Sequence, residues 1–130
     1  MKRTGFTLIE LMLVVVIIGI LAAMVVPRLG GRSEQARTAA AKADIDANIA
    51  LALDLFEMDN GIYPITLDAL LTKPADAGNW KGPYLKRKPL DPWGKEYIYQ
   101  KSGVHNPYSY DLYSAGRDGQ SGTGDDVTNW

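Results

Sequence analysis

The hydrophobic pattern changes character along the chain. From Leu11 to Val26 apolar residues follow one another without a charge. Counted from Phe6, the apolar stretch has 21 residues, about 32 Å as a helix, close to a ~30 Å hydrocarbon core. It is too long for a secretory h-region, and no small-x-small cleavage site follows Val26. This predicts a retained membrane anchor whose basic leading end, Lys2 and Arg3, stays in the cytoplasm. Pro27 and Gly30-Gly31 predict a kink or local melting just past the membrane. Helical patterning resumes with Ser33 as N-cap and Glu34 in the first turn. Ala36, Ala39, Ala40, Ala43, Ala47 and Ala50 favour the helix, while Ile45, Ile49, Ala52 and Phe56 form an apolar stripe. Lys42, Asp44, Asp46 and Asp54 mark other faces. Asp59-Asn60-Gly61 is the expected stop.

Residues 62–95 read as irregular and are punctuated by Pro and Gly, with one helical turn over Thr66–Leu71. Glu96–Lys101 and Tyr108–Ser114 alternate in polarity and are rich in Tyr. They predict an antiparallel hairpin joined by Ser102–Pro107. The tail from Gly116 to Trp130 is rich in Gly and Asp. The expected architecture is α+β: a long N-terminal helix on a small antiparallel sheet. The segments are a leader at 1–5, a transmembrane helix at 6–26, a kink and amphipathic helix at 27–58, and a globular domain at 59–130.

The 130 residues suffice for an anchor and one small domain. There is no cysteine, so no disulfide can staple that domain, and a metal or assembly with partners is the remaining route. A formal net charge of −1 gives no bulk attraction to nucleic acid. Basic residues nevertheless cluster near the apolar run, at Lys2, Arg3, Arg28, Arg32, Arg37 and Lys42. Lys86-Arg87-Lys88 reads as a solvated loop or a contact between subunits, and His105 as a surface residue. Ser109, Asp111 and His105 lack a nucleophile motif, so no catalytic residue is assigned.

Glu10 is the anomaly. A carboxylate at a membrane helix centre costs roughly 2.5–3.5 kcal/mol on insertion scales. The apolar run contains no basic partner. Cleavage after Gly5 would leave a free amine on Phe6, able to reach Glu10 of a staggered neighbour. The closing segment from Ser114 to Asp126 holds the other candidate chemistry. Its glycines permit a curl, and Asp118, Asp125 and Asp126 supply hard oxygen donors suited to calcium. A flexible acidic end is an equal reading of those residues alone.

Gly5-Phe6-Thr7-Leu8-Ile9-Glu10 resembles the class III signal of type IV pilins and pseudopilins. The resemblance implies cleavage between Gly5 and Phe6 by a prepilin peptidase and N-methylation of Phe6. It also implies pairing of Glu10 with a neighbour's amine. Asn60-Gly61-x-Tyr63-Pro64, Asp91-Pro92-Trp93-Gly94 and the closing Asn129-Trp130 extend the likeness over essentially the whole chain. That likeness is to the major pseudopilins of type II secretion systems, the general secretion pathway protein G family. It implies a type IV pilin-like fold and a Ca2+ ion in the closing loop. Asp118, Asp125 and Asp126 match its carboxylate positions, and Ala115 and Gln120 match backbone-carbonyl positions. The implied subunit is a non-enzymatic, single-pass inner-membrane protein with its globular part in the periplasm. It forms a homopolymer with minor pseudopilins, built by an inner-membrane assembly platform and working through an outer-membrane secretin. A type IV major pilin for adhesion or motility and a competence pseudopilin for DNA uptake are the alternatives.

Overall fold

The computed structural model describes Met1 and residues 5–130, and the side chains of residues 26–29 lie outside that description. The basic pair Lys2–Arg3 and the Arg28 side chain fall outside the described residues. Two compact units are present, Met1–Ala36 and Arg37–Trp130.

Helix α1 covers Leu8–Ala43. Its backbone assignment runs through Pro27 and Gly30-Gly31, so Ser33 is an interior residue and not the expected N-cap. Pro27 removes one backbone donor and costs about 3 kcal/mol. The surrounding Ala-rich and apolar residues are strong enough helix formers to carry the chain past that loss. Within the first unit every described side chain from Phe6 to Val25 is exposed. The helix is long and apolar enough to cross a membrane by length and composition.

The second unit is organised by a change of helix type. A π-helical segment, Asp44–Ile49, precedes helix α2, Ala50–Asn60. Ala41, Ile45, Ile49 and Leu53 recur every four residues. On an α-helix each such step overshoots a full turn by about 40°, so the stripe would rotate away from the core. The wider π turn absorbs that drift. All four residues are buried, together with Ala52 and Phe56. Helix α2 ends as expected, with Gly61 left-handed at φ 76° and its N–H on the Glu57 carbonyl.

A three-stranded antiparallel sheet completes the core: β1 Ile98–Gln100, β2 Asp111–Ser114 and β3 Val127–Thr128, in that order. The register pairs Tyr99 with Leu112 and Ser114 with Val127. The predicted hairpin is present: β1 is shorter at both ends, and β2 starts later, at Asp111, but ends at Ser114 as expected. Strand β3 was not foreseen in the tail. Asn129 extends it: its side-chain oxygen accepts the Leu112 N–H at 3.0 Å, and its amide donates to the Tyr110 carbonyl at 3.0 Å. Lys42 closes the edge by donating to the Thr128 carbonyl at 2.7 Å.

Residues 61–95 are irregular yet tied down. A 3-10 turn, Leu67–Leu70, seats Leu70 in the core. The Leu70 carbonyl accepts from both Tyr84 and Leu85, and the Ala69 carbonyl accepts from the Trp80 indole at 2.8 Å. Tyr84 packs edge-on against Phe56 with ring centroids 5.7 Å apart. Phe56 thus joins the helix to this loop. Phe56→Ala should destabilise the second unit by about 3–5 kcal/mol, read as a shifted urea midpoint by tryptophan fluorescence.

Candidate functional site

The two candidate regions lie in different units. At the start of α1, Thr7 is the N-cap and Glu10 the third helical residue. The Thr7 N–H donates to Glu10 Oε2 at 2.9 Å, and the Thr7 hydroxyl donates to the same oxygen at 2.7 Å. The Glu10 N–H in turn donates to Thr7 Oγ1 at 3.3 Å. This is a capping box, in which two otherwise unpaired helix-end donors are satisfied reciprocally. The signal, Thr-x-x-Glu ahead of an apolar run, was present in the sequence and was passed over there. Glu10 therefore has a local, neutral partner within its own chain. Gly5 and Phe6 precede the cap, and both are exposed.

The second region begins at the Asp91-Pro92-Trp93-Gly94 turn. Asp91 is 4% exposed. Its Oδ1 accepts the Trp93 and Lys95 N–H groups at 3.1 and 2.8 Å, the local side-chain bonding that Asp favours in turns. Its Oδ2 accepts the Ser114 hydroxyl at 2.6 Å. Ser114 Oγ accepts the Gly116 N–H at 3.1 Å. The turn is thereby fastened to the end of β2, where the closing loop starts.

In that loop the Asp125 carboxylate accepts the Asp118 N–H at 3.0 Å and the Thr123 hydroxyl at 2.6 Å. The Thr123 bond, then the Asp118 bond, holds the Asp125 carboxyl below its ordinary value. Asp118 Oδ1 accepts the Gln120 N–H at 2.8 Å, and Asp126 Oδ2 accepts the Gly122 N–H at 2.7 Å. The Ala115 carbonyl accepts from Gly119 and the Gln120 carbonyl from the Thr123 hydroxyl. Gly116 is left-handed at φ 61°, and a Cβ there would collide with the carbonyl and carboxylate oxygens of Asp125. Asp126 Oδ1 is buried with no hydrogen-bond partner among the described residues.

The donors are hard oxygens on a curled loop, which is calcium chemistry. The orphaned Asp126 oxygen is the kind of atom a cation would satisfy. Among the described residues, however, no three Asp, Glu, His or Cys side chains converge closely enough to hold an ion by themselves. A cation here would be shared between carboxylate and backbone carbonyl oxygens.

His105 is half-exposed, as expected for a surface residue, but it is not idle. Its ring stacks on Trp130 at 3.9 Å and 2°, and its Nδ1 lies 3.1 Å from Asp111 Oδ2. Asp111 is buried and also accepts the N–H groups of Val104, His105 and Asn106 at 2.7–3.0 Å. Burial opposes its charge, but these donors prevail and hold the carboxyl below the usual carboxylate range. Asp111 acts here as a structural anion that gathers the 104–106 loop.

A small antiparallel sheet on a helix, together with an exposed apolar helix carrying a capped acid, defines a pilin-like protein. Comparison with known proteins makes this specific. A family model described as Type II secretion system (T2SS), protein G, matches residues 28–130. One described as a prokaryotic N-terminal methylation motif matches residues 1–26. The type II secretion system core protein G of Pseudomonas aeruginosa is 50% identical over 139 aligned positions, covering 99% of this chain and 96% of that one. The core protein G of Escherichia coli K12 is 48% identical, covering 99% and 92%. The crystal structure of the major pseudopilin from the type 2 secretion system of enterohaemorrhagic Escherichia coli superposes with a TM-score of 0.68. It is 34% identical and covers 77% of this chain and 87% of that one. The chain belongs to the type II secretion protein G family, the major pseudopilins.

The Asp111 anion sets an acid limit. Its folded pKa is depressed, so the unfolded chain binds this proton more tightly. Its contribution is complete above the ordinary carboxylate value near 4 and is lost as pH falls through the lowered value. Asp111→Asn should cost about 1–3 kcal/mol at pH 7, because its amide would face backbone donors. Acid melts should then show a flatter decline below pH 4 than those of the unaltered chain.

Proposed function

We propose that the chain is the polymerising subunit of a periplasmic secretion filament. It starts as a single-pass protein of the bacterial inner membrane with residues 37–130 on the periplasmic side. A prepilin peptidase removes residues 1–5, Phe6 is N-methylated, and the new amine pairs with Glu10 of a neighbouring copy. With minor pseudopilins at hand and an inner-membrane platform adding subunits, the homopolymer pushes folded exoproteins through the outer-membrane secretin. The chain performs no chemistry of its own and has no role on nucleic acid. Its membership of the protein G family favours this over adhesive pili or DNA uptake. The observation that carries the reading is Glu10 at the head of an apolar helix none of whose described side chains from Phe6 to Val25 is buried in its own chain. Such a helix needs lipid or other helices around it, and a staggered copy would bring its Phe6 amine to this acid.

Glu10→Gln separates capping from pairing, because Gln serves in a capping box but carries no charge. Both Glu10→Gln and Glu10→Ala should insert and be processed normally yet fail to form filaments that can be sheared and sedimented. Assembly by Glu10→Gln at the level of the unaltered chain would sink the ion-pair reading.

We also propose that the loop Ala115–Asp126 binds Ca2+, through the carboxylates of Asp118, Asp125 and Asp126 and the carbonyls of Ala115 and Gln120. The buried, unpartnered Asp126 Oδ1 supports it. When bound, the ion would neutralise the acidic loop and staple β2 to β3 in a domain without disulfides. Calcium at a hundredfold excess over its Kd should raise the melting temperature of the full chain in detergent by on the order of 10 °C. Asp126→Ala should remove the shift; an unshifted melt of the unaltered chain would refute the site.

A further inference from the structure

The side chain of Lys95 reaches into the acidic loop. Its Nζ occupies the place where a Cβ on residue 119 would stand, with Cε and Cδ also within van der Waals range of that point. Gly119 is left-handed at φ 69°, and the absence of a side chain leaves the opening the amine fills. The approach is built and not incidental. The Lys95 backbone is held on both sides of its Cα by Asp91: its N–H donates to Asp91 Oδ1 at 2.8 Å, and its carbonyl accepts the Asp91 N–H at 2.7 Å. Asp91 is in turn fastened through Ser114 to Gly116, inside the same loop. The turn thus aims one ammonium at the curl formed by Ala115 and Gly119, whose carbonyl and N–H are bonded at 3.0 Å. Among the described residues no carboxylate lies in an ion pair with Lys95. Its ammonium stands against the loop backbone at Gly119.

We propose that Lys95 is an internal counter-cation that sets the calcium affinity of the closing loop. This rests on the calcium reading above and adds a regulator to it. Without calcium, the fixed positive charge offsets part of the repulsion among Asp118, Asp125 and Asp126 and keeps the loop curled. With calcium, the same charge repels a divalent ion and weakens its binding. The ammonium swings outward or stays at a cost, and either way the loop answers to a higher calcium concentration than its acidic residues alone would set. Lys95 is a positioning and tuning residue, not a ligand.

The test uses the full chain in detergent micelles. Calcium chloride is titrated calorimetrically into the unaltered chain, Lys95→Met and Lys95→Arg, and each is melted in the presence of a chelator. Met keeps most of the stem and removes the charge. Lys95→Met should bind calcium on the order of tenfold more tightly and melt at a lower temperature when calcium-free. Lys95→Arg should return both readouts to those of the unaltered chain. If Lys95→Met binds calcium with unchanged or weaker affinity, the role of Lys95 is overturned and the calcium site stands. If neither the unaltered chain nor Lys95→Met takes up calcium, the site itself is lost and the proposal falls with it.

Discussion

The buried carboxylate of Asp91 is the constraint on which the second unit depends. Three bonds converge on it, from Trp93, Lys95 and Ser114. Burying a carboxylate is costly unless its lone pairs are met. Here one oxygen closes the turn and the other seizes the end of β2. Through Ser114 the same anchor reaches the Gly116 N–H and sets where the closing loop departs. The turn, the central strand and the loop are therefore fastened at one point. An Asp at this position does what neither a neutral turn residue nor an apolar one can do, because only a carboxylate offers strong acceptors in two directions.

Local chemistry was legible in the sequence, and long-range pairing was not. The apolar run, the Ile45–Phe56 stripe, the stop at Gly61 and the hairpin all follow from periodicity and turn residues a few positions apart. The π segment was hidden, because a spacing of four reads as helical until drift over several turns is followed. Strand β3 was hidden for another reason. Two residues in a Gly- and Asp-rich tail carry no pattern, and the strand exists only because β2 and the Asn129 amide hold it. Pro27 does not end the helix, since one missing donor does not outweigh a long run of helix-forming neighbours. Thr7 was overlooked because Glu10 was weighed as a charge in a membrane and not as a helix-end acceptor.

A domain this small, with no cysteine, must close its chain end by other means. It does so with anions and amides placed where backbone donors would otherwise be stranded. Asp111 gathers the 104–106 loop, Asn129 continues β3 along β2, and Trp130 lies flat on His105. Each bond is worth only about 1 kcal/mol net. Leaving any of these buried groups unmatched costs more than the bond contributes, so the network specifies one arrangement more strongly than it stabilises it.

The two units make opposite demands on their acids. In the closing loop Asp118, Asp125 and Asp126 share one curl, and on the calcium proposal a cation would reduce their repulsion. In the apolar helix a single carboxylate stands alone, and neutral donors from Thr7 meet it first. That cap changes the reasoning about assembly. On the proposed pairing, a neighbour's ammonium would not rescue an orphaned charge; it would compete with a hydroxyl and an N–H already in place. Only the difference between the two arrangements drives association. Both arrangements are charge-assisted, because the acceptor is a carboxylate; an ammonium would add a full opposite charge, whose attraction the surrounding hydrocarbon magnifies. On the proposed assembly, the isolated subunit would hold its acid satisfied by Thr7, while a staggered neighbour would offer the better partner. An uncapped acid would make the monomer unstable; a fully compensated one would leave nothing for the filament to gain.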